Sequence, residues 1–141
     1  MDNKDNAHSY LKKIRDAEVS IHNKELELEA LRYKASGAGA IRYDKDKVQT
    51  SPQDYLAMAM ADIFEITEQI EEDKASVDEM KCNAYSIVRR MDAPEQRALI
   101  EWYYLNGIDM TITAEHLHMS ERNAYYLRDD ALESFGRLLT A

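Results

Sequence analysis

Two stretches of this chain repeat apolar residues in alternating steps of three and four, over lengths that suit long paired helices and little else. In residues 8–35, Tyr10, Ile14, Ala17, Ile21, Leu28, Leu31 and Ala35 take the a and d positions of a heptad, and Lys24 takes the one left over. In residues 52–91 the same positions hold Leu56, Ala59, Ile63, Ile66, Ile70, Val77, Met80, Ala84, Ile87 and Met91, and Asp73 fills the one gap. The spacing predicts helices over about 8–35 and 52–91. At 1.5 Å per residue the second is about 60 Å long. Ser51-Pro52 is a start signal, with Ser as N-cap and Pro at the first helical position. Gly37 and Gly39 stop the first helix, and a mixed Asp/Lys run connects the two. Antiparallel packing with paired numbers summing to about 97–98 matches Leu31 to Ile66, Leu28 to Ile70 and Ile14 to Ala84. That register also sets Lys24 opposite Asp73, so the two polar interruptions meet.

Composition narrows the class. Two Pro and four Gly in 141 residues leave little room for a turn-rich β fold. No run of about 18 apolar residues exists, so no membrane span is expected. The start, MDNKDNAHSY, is polar and shows no signal peptide, which points to the cytoplasm. A single cysteine, Cys82, excludes an internal disulfide framework and reads as a helix-surface thiol. His116 and His118 form the one close histidine pair and lack further ligands at metal-site spacing. Gly37-Ala38-Gly39 is not followed by the Gly-Lys-Ser/Thr of a phosphate loop. No catalytic constellation stands out, so the expectation is no enzyme, no cofactor and no metal.

The last third reads differently. From Asp92 to Leu132 it runs DAPEQRALIEWYYLNGIDMTITAEHLHMSERNAYYLRDDAL. Asp92-Ala-Pro-Glu95 has the form of a capping box with Asp in place of Ser or Thr, so a new domain is expected from residue 92, after a helical domain 1–91. A Gly-containing loop, a short helix capped by Asp109, a tight turn at Leu117-His118-Met119-Ser120, and a second short helix capped by Ser120 follow. This is the pattern of a helix-turn-helix, whose second helix enters the DNA major groove. Ala114 is small where the helices cross. Ala124, Leu127 and Ala131 give one buried stripe. Of Trp102, Tyr103 and Tyr104, three consecutive helical positions, not all can face inward. His118 stands where this turn commonly has Gly, so it is expected in the left-handed backbone region.

Residues 92–132 resemble the C-terminal promoter-reading region of sigma-70-type factors. They resemble still more the phage regulators of late transcription of the ArpU kind. The carrying residues are Glu101–Gly107 (EWYYLNG), His116–Arg122 (HLHMSER) and Tyr125–Leu132 (YYLRDDAL). The match covers about forty residues; the N-terminal part matches by architecture alone. The resemblance implies an all-α protein: a long antiparallel coiled-coil-like hairpin followed by a DNA-binding domain. It further implies a sequence-specific transcription regulator in a bacterial host cell, with double-stranded DNA as partner, RNA polymerase as a second one, and the N-terminal helices available for homodimerisation. Arg122, Asn123, Tyr125 and Tyr126 are the candidates for base-edge or groove contact, with Glu121 beside them. Ser120, Arg128 and Arg97 are the candidates for phosphate contact.

Charge pulls the other way. The chain carries a net −9. By region, residues 1–50 hold 10 basic and 9 acidic groups, while residues 51–91 and 92–141 each hold 4 basic and 9 acidic. DNA binding gains affinity by neutralising phosphates with Lys and Arg. Asp129 and Asp130, in the second short helix, are expected to repel phosphates at non-cognate sites. The alternative readings are a protein–protein adaptor that presents an acidic helical surface, for example to RNA polymerase, and a small subunit of a phage DNA-packaging machine.

Overall fold

The computed structural model describes residues 2–37 and 52–141, and every element among them is helical. Helix α1 spans Asn3–Ala35 and α2 spans Pro52–Val88. Helix α3 spans Pro94–Leu99 and continues as a π-helical turn, Ile100–Leu105. Helices α4 (Met110–His116) and α5 (Glu121–Leu139) complete the chain.

The heptad positions behave as their spacing predicts. All eight on α1 are buried or half-buried, Lys24 included. On α2 the same holds from Ala59 onward, Asp73 included; Leu56 is the exception and is exposed. Helix α1 begins at Asn3, earlier than expected, because Asp2 caps it: the Asp5 N–H donates to the Asp2 carboxylate at 2.8 Å. It ends at Ala35, and Gly37 follows with φ +92°, the left-handed stop expected of it. Helix α2 opens at Pro52 and ends at Val88, short of the expected Met91. Ser51, Gly39 and most of the connector lie outside the described residues.

The chain divides into two compact units. One comprises residues 20–75. Within it, Ile21, Ala59 and Ile70 are buried. Lys24 Nζ meets Asp73 Oδ2 at 2.6 Å, Leu31 and Ile66 line one groove, and Lys34 stands 5.1 Å from the Tyr55 ring centroid. Rising numbers on α1 meet falling numbers on α2, so the two segments run antiparallel in the expected register.

The other unit comprises residues 1–19 and 76–141. Here the expected boundary at Met91/Asp92 is not a division between compact bodies. The reason lies in the first turns of α1, which bury a second stripe besides the heptad seam. Leu11, off the seam, and Ala7, in phase with Ile14 and Ile21, are both fully buried. His8 Nδ1 and the Tyr104 hydroxyl share a hydrogen bond of 2.9 Å. Arg15 lies 4.0 Å over the Tyr103 ring and donates to the main-chain carbonyls of Tyr103 and Ile108. Lys4 pairs with Asp129 at 3.3 Å, and Tyr10 packs on Phe135. Near Gly136 the backbones come so close that a Cβ there would lie 2.1 Å from the Asn3 carbonyl oxygen. An ion pair of 2.9 Å between Lys81 and Glu18 joins the two long helices in this unit.

The π turn does specific work in this core. Its wider winding, with the Asn106 N–H reaching the Glu101 carbonyl five residues back at 3.0 Å, rotates Ile100, Tyr104 and Leu105 inward together. All three are fully buried, while Trp102 and Tyr103 are half-buried. Burial raises the Tyr104 phenol well above its ordinary pKa, with Arg128 and Arg15 acting weakly in the other direction and Tyr103 and Asp129 adding to the rise.

Candidate nucleic-acid interface

Helices α4 and α5 are held together by a small buried cluster of Met110, Ala114 and Ala124, with Tyr103 and Met119 packed against it. Two alanines at the crossing let the backbones approach closely. The turn between the helices closes α4 through a pair of backbone bonds. The Met119 N–H donates to the Ala114 carbonyl, and the His118 N–H to the Glu115 carbonyl, both at 3.1 Å. That is the Schellman arrangement, in which the residue after the C-cap is left-handed. His118 occupies that place with φ 56°, the one non-Gly residue with positive φ among the described residues.

Helix α5 starts one residue after Ser120, whose hydroxyl accepts from the Asn123 N–H at 3.1 Å. The other two expected caps differ. Asp109 holds the N-cap position of α4, yet its side chain makes no cap bond; its main-chain carbonyl instead receives both the N–H and the hydroxyl of Thr113, at 2.9 and 3.0 Å. At α3 the N-cap is Ala93, with Pro94 at the first helical position, so Asp92 forms no capping box. Helix α5 is also long, 19 residues, because its second half packs on α1 through Phe135 and Gly136.

On α5, Ala124 and Ala131 are fully buried and Leu127 half-buried, as the stripe requires. Glu121, Arg122, Asn123, Tyr125 and Tyr126 all lie exposed within the first two turns. Arg122 Nε donates to the Tyr126 hydroxyl at 3.2 Å, one turn away, and its guanidinium lies 5.7 Å from that ring. Glu121 accepts from Thr111 of α4 at 3.4 Å.

Three residues are committed elsewhere. Arg97 is half-buried and donates to the Met91 carbonyl at 2.6 Å, tying α3 back to the end of α2. Arg128 is half-buried: its guanidinium stands 5.1 Å from the Tyr125 ring and 3.7 Å from Asp129, and its Nε is buried without a partner among the described residues. Asp129 is held by Lys4, leaving Asp130 as the exposed carboxylate of the pair. Thr111 and Ile112 of α4 are exposed, and Thr111 reaches this face through its bond to Glu121. The inward spacing of Met110, Thr113 and Ala114 is the signal that turns them outward.

No protein-family model, curated protein or solved structure matches this chain. Among the described residues, no group of His, Cys, Asp and Glu is placed to hold a metal ion, and no helix is long and apolar enough to cross a membrane.

Proposed function

We propose that this chain is a DNA-binding transcription regulator of the phage late-gene kind, acting through a helix-turn-helix formed by α4 and α5. The observation that carries the reading is the α4–α5 junction: a Schellman turn with left-handed His118, a Ser120 cap, and an outer face of α5 that presents Arg122, Asn123, Tyr125 and Tyr126 above buried Ala124 and Ala131. Residues in the first turns of a recognition helix are the ones that reach base edges. Arg122 suits the O6 and N7 acceptors of guanine, Asn123 suits adenine, and the tyrosines suit sugars, phosphates or a thymine methyl. The Arg122–Tyr126 contact keeps the guanidinium extended along the helix rather than free in solvent.

With Arg97 and Arg128 engaged internally, few cations remain for phosphates. Binding then depends weakly on salt, with a slope set by about two to four neutralised phosphates, well below that of strongly basic binders. The test is fluorescence anisotropy with duplexes from the chain's own genomic neighbourhood across a salt series. Arg122→Ala weakens cognate binding by tenfold or more, consistent with about 1–3 kcal/mol for one good base contact. Asp130→Asn raises non-specific affinity. Absence of wild-type binding at low salt, or Arg122→Ala binding like wild type, removes the reading.

A further inference from the structure

The unit of residues 20–75 exposes a stripe of large apolar side chains on α2. Leu56, Met60 and Phe64 are 47%, 53% and 65% exposed, and they recur every four residues along one face. Exposed apolar residues scattered singly call for no explanation; three in line, each with about half its surface in water, do. Ala57 and Ala61, both exposed, flank the stripe and leave its large side chains standing proud.

What lies beside the stripe decides what fits it. From Pro52 to Ala75 the helix carries seven acidic residues and one basic, Lys74. Glu68, Glu71 and Glu72 follow Phe64 within the next two turns and are exposed. The register fixed by Lys24 against Asp73 brings Glu29 of α1 to the level of Glu68, and Glu25 to the level of Glu72. Glu25 and Glu29 are exposed too, and together they line a shallow groove on α1 of about 370 Å³. None of these five carboxylates is in an ion pair among the described residues. The face is therefore an apolar strip that runs into five carboxylates, with Arg32 the one cation among the described residues that line the groove of Glu25 and Glu29.

We propose that this face docks a basic amphipathic helix of a protein partner. Its apolar residues, at i, i+3, i+4 and i+7 spacing, cover Leu56, Met60 and Phe64, and its Lys or Arg residues meet the carboxylates. Methionine and phenylalanine suit the task, because a flexible thioether adapts to the partner's side chains while the ring supplies area. A second copy of this chain fits less well, since it would bring two acid-rich segments together. An anionic membrane surface is disfavoured for the same reason. This proposal stands independently of DNA binding by α5.

The experiment uses the full chain and a fluorescein-labelled, about 14-residue Leu/Lys helical peptide with that spacing. The comparators are a Leu/Glu peptide of the same pattern and a scrambled Leu/Lys peptide. Wild type binds the Leu/Lys helix at least tenfold more tightly than either comparator. Met60→Ala with Phe64→Ala, which leaves the charge and the buried seam untouched, lowers that affinity at least tenfold, with the far-UV circular dichroism unchanged. Glu68→Lys with Glu71→Lys lowers it to a similar extent. Equal binding of the scrambled peptide, or unchanged binding by the double alanine variant, overturns the proposal by reducing the effect to net charge. Self-association by analytical ultracentrifugation that vanishes with Met60→Ala and Phe64→Ala also overturns it, assigning the stripe to a second copy.

Discussion

Replacing Gly136 by Ala probes the contact that joins the two ends of this chain. An added Cβ would lie 2.1 Å from the Asn3 carbonyl oxygen, 2.5 Å from its carbonyl carbon and 2.9 Å from its Cβ. Ordinary van der Waals separation is near 3.4 Å, so the first turn of α1 must retreat by roughly 1.3 Å, and what it meets is backbone rather than the soft end of a side chain. Overpacking of this kind costs about 1–3 kcal/mol. Against it stands the helix propensity of Ala, about 1 kcal/mol better than Gly in a helix interior. If α1 instead peels away, the Lys4–Asp129 pair and the burial of Ala7 are lost. The net expectation is destabilisation by up to about 2 kcal/mol, read from urea denaturation followed by far-UV circular dichroism. A second arm isolates the cause. In a chain that starts at Ala7, the obstructing carbonyl is gone, so the same substitution should reverse sign and stabilise by about 0.5–1 kcal/mol. Equal or greater stability of Gly136→Ala in the full chain, or the same penalty in the shortened one, would refute the reasoning.

Three further outcomes are expected. His118→Gly is neutral or stabilises by up to about 1 kcal/mol, while His118→Val destabilises by about 1–2 kcal/mol, because a β-branched residue tolerates φ 56° poorly; thermal melts of the pair check this. The raised pKa of Tyr104 means that folding favours the neutral phenol, so its contribution is fully present below the unfolded phenol's pKa of about 10 and is lost as pH rises beyond it; Tyr104→Phe should lose stability less steeply between pH 10 and 11.5, at the cost of about 1 kcal/mol at pH 7 from its hydrogen bond with His8. Lys24→Leu with Asp73→Leu should raise the denaturation midpoint, since a half-exposed ion pair contributes about 0–1 kcal/mol, yet broaden the transition by admitting other registers.

The heptads made the seam legible because a period of 3.5 declares which side of a helix is covered, whatever covers it. Lys24 and Asp73 added the register, since two polar breaks in otherwise apolar rows are tolerated best when they face each other. The turn was legible for a similar reason: Ser120 and the small Ala114 bracket a place where the backbone must reverse, and His118 was the residue left to adopt the left-handed conformation. What the same reading missed is burial on a second side. Leu11 lies off the a and d rows, and Ala7, though in phase with Ile14 and Ile21, precedes the stretch where the pattern is read, so a single-stripe search of residues 8–35 leaves both out. They are buried because α1 packs against residues about a hundred positions later, and nothing in local periodicity carries that information. The boundary at Met91/Asp92 failed to divide the structure on the same ground, since helices adjacent in sequence there belong to one core.

The polar residues follow the same logic with a functional consequence. Arg97 and Asp129 looked free because an arginine or aspartate in a helix usually faces solvent. Each has a partner set by tertiary packing: the Met91 carbonyl for Arg97, and Lys4 for Asp129. Removing both from the interface alters the electrostatic argument more than the net charge does. The expected interface loses two cations, Arg97 of α3 and Arg128 of α5, and one repulsive anion, Asp129, so the first two turns of α5 are left with Arg122 and Glu121, opposite charges on adjacent residues. A surface so nearly neutral has little long-range pull on DNA. Any preference it exerts must come from short-range bonds at Arg122, Asn123 and the two tyrosines. The densest run of acidic residues lies instead on α2, where Glu68, Glu71 and Glu72 border the exposed stripe of Leu56, Met60 and Phe64. The two surfaces therefore differ in kind. The face on α5 is short of charge and rich in groups that read shape and hydrogen bonds. The face on α2 combines charge with apolar area, which is the combination that selects a basic protein helix over a phosphate backbone.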